Sequence, residues 1–190
     1  MAYFAARILV NDKKMSASTE FSPWGLVSLG LINPKSATNV ASVLRAAGCY
    51  GASSVFYTGQ RYGYAKDFNA DTRQMHKKIP TIGVDTIKSA VPKGAATVAV
   101  ELVEGATPLP AFAHPENAFY IFGPEDGSVN QSEIDWCDDI VYVPTNGCMN
   151  LAATVNVLLY DRLAKSPYSH SDTLIRGSRD VNNRTTRVQR

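Results

Sequence analysis

A chain of 190 residues, 45% of them hydrophobic and 19% charged, carries enough apolar material for a buried core and has the size of one domain, which excludes a large multidomain machine. Nineteen Lys and Arg stand against 17 Asp and Glu, a net charge of +2, so any polyanion site must come from local clustering. The apolar run in the opening MAYFAARILVNDKK is too short for a signal peptide, and no stretch reaches the roughly 18 apolar residues of a membrane span, so a soluble, cytoplasmic protein is expected.

In chain order, short runs rich in Val, Ile, Phe and Tyr predict strands at 26–32, 54–57, 97–102, 118–122 and 140–143. Segments with helical spacing follow several of them, and this alternation points to an α/β domain with a mainly parallel sheet flanked by helices. The first helix is predicted from about Asn39, where Val40, Val43, Leu44 and Ala47 recur at i, i+3, i+4 and i+7, with Thr38 as N-cap and Gly48 as the stop. The last runs from about Met149 to Ala164, with Leu151, Val155, Leu158 and Leu159 on one stripe and Pro167 blocking its continuation. The stretch from Gln60 to Lys78 mixes Arg61, Lys66, Arg73, Lys77 and Lys78 with Tyr62, Tyr64 and Phe68, as suits a long exposed loop or lid. Residues 1–166 are expected to form the domain and 167–190 a flexible basic tail, with five Arg against two Asp from Asp172 onward.

The common nucleotide and catalytic fingerprints are missing. No GxGxxG follows a strand, no P-loop occurs, and neither GxSxG nor HExxH is present. Cys49, Cys137 and Cys148 show no metal-ligand spacing and read as reduced thiols, and His76, His114 and His170 are scattered, so no metal is expected.

Three ordered segments carry the functional signal: NPKSATNVASVLRAAGCYG at 33–51, IFGPEDG at 121–127 and VYVPTNGCMNLAATVNVLLYD at 141–161. In order, spacing and residue type they resemble the three motifs of the SpoU/TrmH family of RNA ribose 2′-O-methyltransferases, within the SPOUT superfamily. The resemblance implies a sheet whose C-terminal part forms a trefoil knot around an S-adenosylmethionine pocket, and a homodimer in which the neighbouring subunit completes the site. It places Asn39 and Arg45 at the asparagine and arginine of the first motif, Glu125 at the glutamate of the second and Asn150 at the asparagine of the third, and these four are the candidate catalytic residues. By position, Phe122, Gly123, Val143, Pro144, Cys148, Met149 and Leu151 would line the cofactor pocket. Cys148 and Ala152 stand where many members carry serine, which leaves the hydrogen bonding there open.

At about 100° per residue, Arg45 lies opposite the apolar stripe of its helix and is free to face a ligand, as a solvated helix arginine also would be. A ribose 2′-hydroxyl is a weak nucleophile that must be aligned and relieved of its proton, and an arginine that stays protonated suits the holding of a phosphate and a developing alkoxide. Glu125 reads as an orienting group, a proton acceptor or a turn carboxylate, and Asn150 as a site residue or a helix cap. Arg61, Lys66, Arg73, Lys77 and Lys78, with Arg176 and Arg179 in the tail, are the candidate RNA contacts, although interspersed Asp residues suit a solvated surface equally. The expected activity is S-adenosylmethionine-dependent ribose methylation of RNA, tRNA before rRNA. The alternative is a non-catalytic RNA-binding or assembly protein on the same scaffold.

Overall fold

A computed structural model of the protein describes residues 25–65, 78–167, 171–180 and 182–186. Its frame is a sheet of seven strands: β1 (Val27–Leu31), β2 (Ser54–Tyr57), β3 (Thr81–Gly83), β4 (Ala96–Val100), β5 (Thr107–Pro108), β6 (Ala118–Phe122) and β7 (Asp139–Tyr142). All pairings are parallel, in the order β3-β2-β1-β6-β4-β7-β5. The five predicted strands are present with ends shifted by at most two residues. β3 and β5 are additional, and at three and two residues they are too short for an apolar period to register.

Alternation along the strands feeds two cores. Val27, Leu29, Leu31, Tyr120 and Phe122 face one side, packed under helices α1 (Ala37–Cys49) and α4 (Leu151–Ala164). On the other side Phe119 and Ile121 pack with Ile87, Phe56 and Trp136, beneath the 3-10 turn at Ile87–Ala90 and the short helix α3 (Gln131–Ile134). β6 is buried along its whole length, as a central strand covered on both faces must be. Gly30 lets the sheet close on this second side, because a Cβ there would stand 2.8 Å from the Phe119 ring.

The helix ends differ from expectation in instructive ways. α1 is capped by Ser36, whose hydroxyl accepts the Asn39 N–H at 3.3 Å, so Thr38 lies inside the first turn and is not the cap. Gly48 does not stop it: the helix continues through Cys49, and the left-handed residue is Gly51, at φ 70°. α4 starts at Leu151, two residues later than expected, because the Asn150 side chain takes the Ala153 N–H at 2.7 Å. The segment 167–190, expected as a flexible tail, carries helix α5 (Asp172–Ser178) capped by Ser171, with Leu174 and Ile175 exposed. Helix α2 (Arg61–Ala65) opens the stretch expected as a loop.

The C-terminal half of α4 is tied to β6 by a polar cluster. Arg162 is buried and donates through Nη1 to the Pro115 carbonyl at 2.6 Å and the Tyr120 hydroxyl at 3.0 Å, and through Nη2 to the Glu116 carbonyl at 2.7 Å. The Tyr120 hydroxyl also meets His114 Nδ1 at 2.7 Å, and His114 Nε2 meets Asp161 at 2.9 Å. Because the Asp161 carboxylate can only accept, Nε2 carries the proton and donates to it, and Nδ1 of the neutral ring then accepts the Tyr120 hydroxyl proton. Burial lowers the His114 pKa against the opposing pull of Asp161, and burial pushes the Tyr120 hydroxyl up to about 12. Lys165 closes the set with an ion pair to Asp161 at 2.6 Å.

Candidate active site

The carboxyl ends of β1, β2, β4, β6 and β7 lie along one edge of the sheet, with Leu31 beside Tyr57 and Phe122, and Val100 beside Phe122 and Val141. The chain runs outward from β1 to β3 and then crosses to the other side of β1, and ligands in open α/β sheets settle at the carboxyl edge near such a reversal. There a cavity of about 370 Å³ opens between the loops that follow β4, β6 and β7, within the size range of small-molecule sites.

Most expected site residues meet at this cavity. Phe122, Gly123, Val143, Cys148, Met149 and Leu151 line it, as do Asn39, Glu125 and Asn150; Pro144 is not on the wall. Three segments far apart in sequence therefore share one concavity. Glu101, Leu102, Ser128, Thr145 and Thr154 also line it and were missed from the sequence. Glu101 follows the end of β4 directly, so the strand-end rule was the signal available for it.

Local packing explains the glycine of IFGPEDG. A Cβ on Gly123 would approach the Val129 nitrogen to 2.9 Å and the Glu101 carboxylate to 3.3 Å. Glu101 holds that crossing in place, accepting the Leu102 N–H through one carboxylate oxygen and the Val129 N–H through the other, each at 2.8 Å. Gly59 has a similar task beside the first motif: at φ 75° it brings backbone so near Asn33 that a Cβ would meet Oδ1 at 2.2 Å.

Glu125 spans the gap between second and first motifs. Its carboxylate accepts the Lys35 N–H at 2.8 Å, the Ser36 N–H at 3.0 Å and the Asn39 Nδ2–H at 3.1 Å, at the positive end of α1. Partial burial acts to raise its pKa, but the hydrogen bonds from Lys35, Asn39 and Ser36 outweigh that and hold it below the usual value. It is an anion at neutral pH, occupied in joining two loops. Asn39 spends its amide N–H on Glu125, while its Oδ1 accepts no hydrogen bond among the described residues. Asn150 spends its Oδ1 on the α4 cap.

Arg45 is exposed on α1 and does not line the cavity of its own chain. Six residues from Asn39, it lies about 120° around the helix and about 9 Å further along it. Of the expected RNA contacts, Arg61 donates to both oxygens of Asp126 at 3.0 Å, Lys78 and Arg176 are exposed, and Arg179 is half-buried. Lys66, Arg73 and Lys77 lie outside the described residues. The Arg61 hydrogen bond holds the Asp126 carboxyl below its ordinary value. Among the described residues no group of three or more His, Cys, Asp or Glu could hold a metal ion, and no helix is long and apolar enough to cross a membrane.

A parallel α/β sheet with a cavity at its carboxyl edge, built from three separated motifs, defines a class of nucleotide- or cofactor-binding domain. The model of the SpoU rRNA methylase family matches residues 27–160, and the chain belongs to that family. Solved structures share the fold. The SpoU methyltransferase AviRb from Streptomyces viridochromogenes superposes with a TM-score of 0.64 at 18% identity over 74% of this chain and 59% of that one. The TrmH/SpoU tRNA-modifying enzyme of A. aeolicus gives 0.65 at 18% over 73% and 74%. A protein described in connection with 2-OH methylation of C/U34 on tRNA gives 0.65 at 19% over 75% and 97%. AviRb has also been solved in complex with AdoMet, and this chain spans about three fifths of its length, 60%. No curated protein matches the chain.

Proposed function

We propose that the chain transfers a methyl group from S-adenosylmethionine to a ribose 2′-hydroxyl of RNA, with tRNA the preferred substrate, as a homodimer whose C-terminal segments form a trefoil knot. The observation that carries this reading is the cavity at the ends of β4, β6 and β7, walled by the second and third motifs, with Asn39 and Glu125 of the first and second at its rim. Its apolar wall of Leu102, Phe122, Val143, Met149 and Leu151 and its two carboxylates, Glu101 and Glu125, suit a molecule that is part aromatic and part cationic. When bound, S-adenosylmethionine supplies an electrophilic methyl group. The relative described with C/U34 of tRNA supports the tRNA preference, since this chain covers 97% of it.

The chain's own residues divide the work of positioning. Glu125, with its lone pairs engaged by Lys35, Ser36 and Asn39, is a poor proton acceptor and acts by fixing the Asn39 amide. Asn39 Oδ1 then faces the substrate as a hydrogen-bond acceptor that orients the 2′-hydroxyl, whose proton passes to solvent as the methyl group is transferred. Arg45 of the partner subunit steadies the neighbouring phosphate and the charge developing on that oxygen. Support for the dimer comes from α4, where Ala153, Val157, Tyr160 and Ala164 recur at i, i+4, i+7 and i+11, with Val157 36% and Tyr160 60% exposed. The knot is supported by the nearness of the 145–150 loop to Glu101 and Leu102, beside the connection that leads from β4 to β5.

The test is transfer of labelled methyl into separated tRNA and rRNA pools lacking native modifications, with the product nucleotide mapped by mass spectrometry. Ribose methylation in the tRNA pool is expected. Arg45→Ala should lower the rate about 100- to 1,000-fold with cofactor binding intact; an unchanged rate removes Arg45 from the reaction. Absence of cofactor binding by the native protein would leave the non-catalytic RNA binder as the reading.

A further inference from the structure

Lys35, Arg61 and Asp126 form a charge cluster from three separate segments, outside the cavity wall but joined to it through Glu125, which accepts the Lys35 N–H. Lys35 lies in the loop between β1 and α1, Arg61 opens α2, and Asp126 follows Glu125 in the loop after β6. Arg61 Nη2 lies 3.0 Å from both Asp126 oxygens, and Lys35 Nζ lies 3.5 Å from Oδ2. Stability does not account for this convergence, because exposed ion pairs contribute little, and the Lys35 and Asp126 side chains are 64% and 49% exposed.

Two cations on one carboxylate is also the arrangement that receives a phosphodiester, whose two free oxygens accept charge-assisted hydrogen bonds from both. The placement suits a substrate phosphate. The Lys35 backbone N–H is bound to Glu125 Oε2, and Glu125 binds Asn39, so this cluster is anchored to the residues that face the proposed ribose. We infer that Lys35 and Arg61 form a seat for an RNA phosphate next to the methylated ribose, and that Asp126 occupies this seat until RNA displaces it. This rests on the proposed RNA-methylating function. Asp126 is the internal competitor: it keeps the two cations paired and oriented in the free protein, and its half-exposed carboxylate turns to solvent when the phosphate arrives. A weak exchange of this kind favours RNA over isolated anions, since only a polymer adds further contacts elsewhere to offset the lost pair.

The experiment is a binding cycle with unmodified tRNA, titrated in salt on the full-length protein, with S-adenosylmethionine affinity measured in parallel. Lys35→Ala and Arg61→Ala should each weaken tRNA binding and flatten the slope of log K against log salt by about 0.7. Asp126→Asn should tighten binding about two- to five-fold. The decisive comparison is Asp126→Asn in the Lys35→Ala, Arg61→Ala background, where the gain should vanish, because the competitor then has nothing to release. Cofactor affinity should stay unchanged throughout. An equal gain in both backgrounds, or no gain in either, overturns the seat while leaving RNA binding by the native protein in place. No tRNA binding by the native protein and by Asp126→Asn alike overturns both the seat and the RNA reading.

Discussion

β6 and α4 take part in two polar regions that follow opposite rules. At the carboxyl end of β6 and the start of α4, the carboxylates of Glu101 and Glu125 and the amide of Asn150 bond mainly to backbone N–H groups of loops and helix starts, leaving a cavity of about 370 Å³ between them. At Tyr120 and the last turns of α4, side chains bond one another and nearby carbonyls in a closed set. The first arrangement spends one face of each group on the fold and keeps another toward the cavity, as with Asn39. The second serves to dock α4 to the sheet. One strand and one helix thus carry a lock at one end and a site at the other, and the lock holds the helix whose first turn walls the site.

The strongest way to break this contrast is Arg162→Ala. It orphans the Pro115 and Glu116 carbonyls and leaves the Tyr120 hydroxyl with His114 alone, at roughly 1–3 kcal/mol per orphaned carbonyl before water partly refills the gap, so unfolding in urea should show a loss of about 3–4 kcal/mol. Gly123→Ala acts at the other end. With a new Cβ 2.9 Å from the Val129 nitrogen, it should cost about 1–3 kcal/mol by overpacking and weaken cofactor binding more than stability predicts, which calorimetric titration beside a denaturant curve would separate. Asn150→Ala removes the α4 cap and should cost about 1 kcal/mol in the same urea assay.

The smallest effect sharpens the lock's chemistry. His114 has a folded pKa lowered from 6.5, so above pH 6.5 both folded and unfolded states hold it neutral and its contribution to stability is complete. As pH falls below that value the unfolded chain takes the proton first, and stability declines until the folded pKa is passed. The charged neighbours are Asp161 and Arg162 on α4 and Lys165 just after it, with the Tyr120 hydroxyl on β6. Urea midpoints should fall as the pH drops below 6.5 in the native protein, and less so in His114→Gln; equal declines would assign the effect to other groups.

Much of this was legible in the residues. Long apolar strands and the α1 and α4 stripes announce themselves by period, because burial on one or both faces requires it. The Asn150 cap was one of two readings its position allowed, and the structure assigns its Oδ1 to that task. Gly48 misled because a glycine near a helix end reads as a stop, whereas Gly51 is the residue that turns left-handed. Glu101 could be suspected from its place at a strand end but its role could not be read, because it depends on Val129, 28 residues away, arriving beside it. His114 looked like a scattered histidine for the same reason: its partners lie 6 and 47 residues further along the chain.

By itself the sequence determined the class of fold, the positions of five strands and the two long helices, and the three motifs that meet at the cavity, since these depend on local spacing and residue type. Only the tertiary structure decided the strand order, the engagement of Glu125 by α1, the place of Arg45 away from the cavity of its own chain and the pairing of Asp126 with Lys35 and Arg61. These are outcomes of hydrogen bonds and charges brought together from distant segments. Their energies depend on distance and burial, and neither quantity exists until the chain has folded.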